Sequence, residues 1–297
     1  MREPPWVSAH LVHGGDLDAL LVSVVTAVHA SGLAGDLFFL RYWEGGDHVR
    51  LRVRPAAGAT ADDLCALLTE HGRRHFAAHP STPADPDQYA RQARALGALE
   101  RLPTWEPVQL PNDTVVFRPY VPEYDRYGRG AAMDAVERHF VESSRIALAV
   151  LAARPDPDRR QTAALSFLLV SASAGVGTGD AAPPREQALR DLAERAAFAR
   201  RYERQRGKLI ELQRRMAAVA TGPARTTGVL AAWHRSLTTL RDRLDAAGAD
   251  PPRVTAILDT CGHLLCNRLG LTLAEEAYVR YLAGRLPADR AVEEAGR

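Results

Sequence analysis

The sequence predicts an α+β protein, with an antiparallel sheet in the N-terminal half and a mostly helical C-terminal half. Three observations lead there. Residues 48–54 alternate cleanly, with Val49, Leu51 and Val53 on one side and His48, Arg50, Arg52 and Arg54 on the other, as a strand with two unlike faces does. A glycine turn, Glu44-Gly45-Gly46-Asp47, joins that stretch to an aromatic-rich one and makes a hairpin. From Ala131 onward, apolar residues recur at helical spacing over most of the chain.

Taken in order, residues 6–12 read as a short strand. Gly14-Gly15-Asp16 opens a helix with Asp16 as its N-cap, and Leu17, Leu20, Leu21, Val24, Val25 and Val28 form its apolar stripe until Ser31-Gly32 ends it. Residues 36–43 and 48–54 are the two hairpin strands, closed by Pro55. A helix follows at 60–76, then a loop at 80–88 that holds three prolines. Another strand is expected at 114–120 and a loop at 122–130. Met133, Val136, Phe140, Ile146 and Val150 mark a helix over 131–153. An apolar, buried helix at 161–174 leads to a glycine- and proline-rich mobile loop at 175–184. Helices at 185–220, 228–247, 253–268 and 274–283 complete the chain. No internal repeat is present, and residues 1–297 read as a single domain.

Composition narrows the function classes. The 297 residues include 46% apolar and 25% charged side chains, an ordinary globular balance. The formal net charge is only +2, without a basic tail, which argues against direct nucleic-acid binding. Lys occurs only at Lys208, so arginines supply nearly all the positive charge, and an anion held here would be held by guanidinium groups. Three cysteines, Cys65, Cys261 and Cys266, at irregular spacing predict unpaired thiols in a reducing compartment. The start of the chain is no signal peptide, and the apolar run at 17–28 is too short for a membrane span. A cytoplasmic location is expected, and a homodimer is left open.

Three constellations could carry chemistry. His48, Arg50 and Arg52 lie about 7 Å apart along one strand face; a solvated polar face is the plain alternative. The loop from Tyr120 to Gly128 gathers Glu123, Tyr124, Asp125, Arg126 and Tyr127, and a structural corner with Arg126 paired to a carboxylate is its plain alternative. His263 sits in an apolar helix with Asn267 one turn on, where Asn267 could orient the ring. A satisfied core histidine is the alternative there. No zinc spacing, dinucleotide fingerprint, serine elbow or phosphate loop occurs; Gly175 to Gly179 lacks the lysine and capped helix that a phosphate loop needs.

In order, these segments resemble the thiopeptide-type bacteriocin biosynthesis domain, which also forms the C-terminal elimination part of lanthipeptide dehydratases. The resemblance rests on Trp6, on Phe38-Phe39-Leu40-Arg41-Tyr42, and on His48-Val49-Arg50-Leu51-Arg52. It continues through Tyr120, Glu123, Arg126, Tyr127 and Gly128, with Arg129 where members have a second glycine. It ends on His263-Leu264-Leu265-Cys266-Asn267-Arg268-Leu269, with Leu264 in place of methionine. It spans the chain from Trp6 to about Leu282, as a stand-alone form.

The resemblance implies a glutamate-elimination lyase that needs no metal or cofactor. A separate enzyme, dependent on glutamyl-tRNA, would load glutamate onto Ser or Thr of a leader-bearing precursor peptide. This chain, too short to hold both activities, would remove it to leave dehydroalanine or dehydrobutyrine. By the same match, Arg50 and Arg52 would hold the glutamyl group and the enolate, and His263 would transfer the proton. His48, Arg126, Tyr127 and Asn267 would contact substrate. The same fold also serves as a pyridine synthase, which joins two dehydroalanines in a formal [4+2] cycloaddition and expels the leader. Retention of the arginine and histidine set ranks elimination first. A non-catalytic peptide-binding partner, taking the leader as an extra strand on a sheet edge, is the third reading.

Overall fold

The computed structural model describes residues 5–100, 104–106, 108–173, 192–221 and 227–295. The chain forms two compact units, residues 1–122 and 123–297. The glycine-rich stretch at 175–184 and the first residues of the helix expected at 185–220 lie outside the described residues.

The first unit is an antiparallel sheet with helices. Strands β1 (Val7–Val12), β2 (Ala34–Tyr42), β3 (His48–Pro55) and β4 (Thr114–Phe117) lie in the order β2-β3-β1-β4. The expected hairpin is β2–β3, with Tyr42 opposite His48 and Phe38 opposite Arg52. Gly45 and Gly46 take φ of 84° and 98° in its turn, a region that favours glycine. β4 is shorter than expected because Pro119 has no N–H for a ladder.

Helices α1 (Leu17–Ser31) and α2 (Ala61–Ala78) pack on one face of this sheet. Asp16 caps α1 by accepting from the backbone N–H groups of Asp18 and Ala19, and Thr60 and Asp63 form a reciprocal capping box on α2. Ala9, Leu11, Phe39, Val49, Leu51 and Val53 meet Leu20, Leu21, Val24, Leu64 and Leu68 in a dry core. α2 approaches β4 so closely that a Cβ on Gly72 would lie 2.5 Å from Val115 Cγ2.

Helix α3 (Pro86–Glu100) occupies part of the expected proline loop. Asp85 Oδ1 accepts the Gln88 N–H at 2.9 Å, so Asp85 caps a helix whose first residue is proline. Tyr89 on α3 then ties the hairpin turn down: its hydroxyl accepts from Gly45 N–H at 2.8 Å and donates to the Glu106 carbonyl at 2.7 Å.

The second unit is helical: α4 (Tyr124–Tyr127), α5 (Ala131–Leu151), α6 (Pro157–Ser173), α7 (Leu192–Thr221), α8 (Val229–Ala246), α9 (Pro251–Arg268) and α10 (Leu273–Ala295). Its core centres on Trp233, whose indole N–H reaches Ser171 Oγ at 2.9 Å and the Phe167 carbonyl at 3.2 Å. α9 contacts α5, α6 and α8, which buries most of its length. Cys65, Cys261 and Cys266 are all free thiols, as their odd number and spacing predict. Among the described residues, no helix is long and apolar enough to cross a membrane.

Candidate functional site

In the first unit, β3 turns His48, Arg50 and Arg52 onto the sheet face opposite α1 and α2. Antiparallel register sets His10 of β1 beside Arg50, and Ser8 beside Arg52. This face is not solvated: His48 is 0% and Arg52 8% exposed. The plain reading of a water-facing strand is thereby overturned.

Each group on the face is held in a definite state. His48 Nδ1 lies 2.7 Å from the Gly46 carbonyl, which can only accept, so Nδ1 carries the proton. Nε2 is then an acceptor and takes the Arg50 Nε–H at 3.2 Å. Burial, together with Arg50, Arg52 and Arg118, pulls the His48 pKa down to about 4 against the Gly46 hydrogen bond. His10 stacks on His48 at 4.9 Å, and burial, then His48 and the same arginines, lower it to about 3. Both rings are neutral near pH 7 and serve as polar surfaces, not cations.

The arginines are engaged by this chain's own groups. Arg50 lies 3.3 Å over the Tyr42 ring and 3.5 Å from the Glu44 carboxylate, which also accepts the Glu106 N–H at 2.9 Å. Arg52 donates to the Arg50 carbonyl at 3.0 Å, with its guanidinium 5.5 Å from the Tyr120 ring and 5.8 Å from Phe38. Trp6 packs edge-on against both of those rings, and Arg54 covers Trp6 at 4.1 Å. Nothing in periodicity marked Trp6, Phe38 and Tyr120 as the aromatic wall of Arg52; their distance along the chain hid it.

In the second unit, Arg126 and Tyr127 lie on the single turn α4. Arg126 pairs with Glu123 at 3.0 Å, both more than half exposed, as the structural-corner alternative anticipates. Tyr127 is buried edge-on against Phe140 at 5.5 Å, and burial pushes its hydroxyl pKa well above the usual value. Gly128, at φ 92°, ends the turn in a region closed to most side chains. Arg129 sits over Tyr124 at 4.5 Å.

His263 on α9 is largely buried, and Nδ1 lies 2.7 and 2.8 Å from the two oxygens of Glu276 on α10. The Nδ1 partner is therefore Glu276, where the sequence offers Asn267, itself half-buried on the same helix. Glu276 also accepts from Arg280 Nε at 2.8 Å, and Arg280 reaches the Asp259 carboxylate at 2.7 Å and the Asp259 carbonyl at 3.1 Å. Burial would raise the Glu276 carboxyl, but His263 and Arg280 hold it below the usual carboxylate range. The only sequence signal was the Glu276/Arg280 spacing of one helical turn, which reads equally as a surface pair. A carboxylate on Nδ1 leaves Nε2 to take or give a proton, the arrangement that orients general-base histidines.

One further cation is enclosed: Arg268 is 0% exposed, with Ser144 and Ser143 hydroxyls at 3.1 Å. Burial pulls its pKa down to about 10, which still leaves it charged at neutral pH. Among the described residues, no group of three or more His, Cys, Asp or Glu could hold a metal ion.

Residues 6–286 match the family described as the C-terminal part of lantibiotic biosynthesis dehydratases, and the chain belongs to that family. Solved structures that share its fold include the following three. A pyridine synthase from thiomuracin biosynthesis, TbtD, superposes with a TM-score of 0.78 at 21% identity, over 96% of this chain and 98% of that one. TsrL gives 0.62 at 17% identity, over 96% and 94%. The tRNA-dependent lantibiotic dehydratase MibB from Microbispora sp. 107891 gives 0.56 at 19% identity, over 99% of this chain but 29% of that one. No curated protein matches the chain by sequence.

Proposed function

We propose that this chain acts on a leader-bearing precursor peptide and joins two of its dehydroalanines into a pyridine by a formal [4+2] cycloaddition, expelling the leader. The observation that carries this reading is the state of the arginines. A glutamate-eliminating site must receive a departing carboxylate. Arg50 is already paired with Glu44, and Arg126 with Glu123. Cycloaddition makes no such demand. An amide must shift its N–H proton to oxygen to become an azadiene; two C–C bonds then form. Loss of water and of the leader's carboxamide makes the ring aromatic. These steps move protons at neutral groups, which suits His263 held by Glu276, and they release no carboxylate. The likeness to a pyridine synthase over nearly the full length of both chains supports the same choice.

Glutamate elimination is the second reading, favoured by Arg52: a buried guanidinium walled by Phe38 and Tyr120 could still bind a carboxylate. That reading needs a separate glutamylating enzyme as partner. The two are separated by offering two peptides and following mass. The expected result is that a peptide with two dehydroalanines loses its leader and gains a ring, while a glutamylated peptide is left unchanged. Release of glutamate from the second peptide, with no change in the first, would reverse the assignment.

A further inference from the structure

The hydrogen bonds between α9 and α10 point past His263 to the group that sets its chemistry. We infer that Glu276 is the positioning residue of His263: it fixes the Nδ1–H tautomer, keeps Nε2 as the proton acceptor, and supplies the charge that balances the imidazolium formed when Nε2 takes a proton. The catalytic part of this role rests on the functional reading above.

Charge supports the assignment. Arg280 alone would cancel Glu276, and the ring would face a neutral pair. Arg280 is instead shared with Asp259, at 2.7 Å from one carboxylate and 2.8 Å from the other. Two carboxylates around one guanidinium leave one negative charge, and the only imidazole hydrogen-bonded to Glu276 is His263 among the described residues. Glu276 itself is 5% exposed, so water screens that charge little. Asp259 therefore acts at one remove, by occupying Arg280.

Hydrogen-bond direction makes the inference sharp. Arg280 Nε–H can only donate. In Glu276→Gln, the amide oxygen must therefore take the place of Oε1, 2.8 Å from Arg280. The amide nitrogen then takes the place of Oε2, 2.7 Å from Nδ1. Nδ1–H is then left with one acceptor, the amide oxygen at the Oε1 place 2.8 Å away, and faces an opposing N–H donor at 2.7 Å, so its hydrogen bond weakens and the Nδ1–H form loses its advantage. An isosteric change thereby removes one acceptor oxygen and the negative charge that hold the Nδ1–H form.

The test is nitrogen-15 NMR of the full chain with labelled histidine, the His263 signals being assigned by their loss in His263→Phe. With the ring neutral, the wild type should show Nδ1 protonated, and Glu276→Gln should show a smaller Nδ1-protonated fraction with an unchanged circular dichroism spectrum. Turnover of the two-dehydroalanine peptide should fall about 10²-fold or more in that variant. A wild-type ring protonated on Nε2 overturns the inference whether or not the variant folds; so does a folded variant whose Nδ1–H fraction and turnover both match the wild type. If the tautomers behave as expected but the wild type converts neither peptide, the functional reading fails and the placement of Glu276 stands.

Discussion

A histidine with a carboxylate on Nδ1 is prepared for proton transfer at Nε2, whereas one with its nitrogens satisfied by main chain and a cation is not. His263 is the first kind and His48 the second: His48 gives its proton to Gly46 and accepts from Arg50. That contrast separates two residues the sequence presents alike. His263→Phe should lower turnover of the accepted peptide by about 10²–10⁴-fold, the usual contribution of one general acid/base. Its effect on stability should stay modest, because Glu276 keeps its hydrogen bond from Arg280 when the ring is removed. Steady-state rates and thermal unfolding of the same preparation check both halves. A variant that turns over at the wild-type rate would return His263 to the core.

Secondary-structure elements were legible where one period dominated and opaque where two signals competed. The β2–β3 hairpin followed from strict alternation and two glycines, α1 from its stripe and cap, and α2 from its pattern. Three helix starts were misread for one reason. Asp85-Pro86, Asp156-Pro157 and Asp250-Pro251 look like loop punctuation, yet each aspartate accepts the N–H three residues on, at 2.9, 2.8 and 2.9 Å, and each proline begins a helix. Proline is welcome there because its missing N–H would have had no helical partner. The packing between elements was not legible at all. Gly72 is where α2 meets Val115 of β4. Gly72→Ala should therefore destabilise the fold: a Cβ placed 2.5 Å from a stiff, β-branched side chain must displace it. Overpacking costs about 1–3 kcal/mol, more than the roughly 1 kcal/mol that alanine gains in a helix. Urea unfolding should show the loss, and Val115→Ala in the same chain should recover most of it. A Gly72→Ala chain more stable than the wild type would contradict the close approach.

At the scale of the whole molecule, the near-zero net charge hides a common dependence on acid. The sequence placed His10, His48 and His139 on strands and helices, but it could not say that their rings are enclosed, because burial of a polar residue depends on what packs over it. His10 and His48 belong to the first unit and His139 to the second, where its Nδ1 meets Ser236 Oγ at 2.8 Å beside Trp233. Burial, then Arg268, lowers His139 to about 3; His10 stands at about 3 and His48 at about 4, against an ordinary 6.5. Burial lowers His75 and His234 in the same direction. The sign follows from which state binds protons first. As the pH falls below about 6.5, the unfolded chain takes up protons that the folded chain refuses. Stability is therefore fully present above about 6.5 and drains away as the pH drops toward the folded values. Both units share that sign, so both weaken over the same window. Between pH 6.5 and 5, above the range where most carboxylates titrate, each such histidine should contribute up to about 1.4 kcal/mol of lost stability per pH unit. His139→Leu isolates one contribution. Its absolute stability will differ, since Ser236 loses a partner, but the slope of unfolding free energy against pH should shrink by the share of one proton. Urea titrations at half-unit pH steps, read for each variant by circular dichroism, measure that slope. An unchanged slope in His139→Leu would mean that His139 takes up its proton in the folded chain as readily as in the unfolded one, and that its enclosure exerts no pull on acid stability.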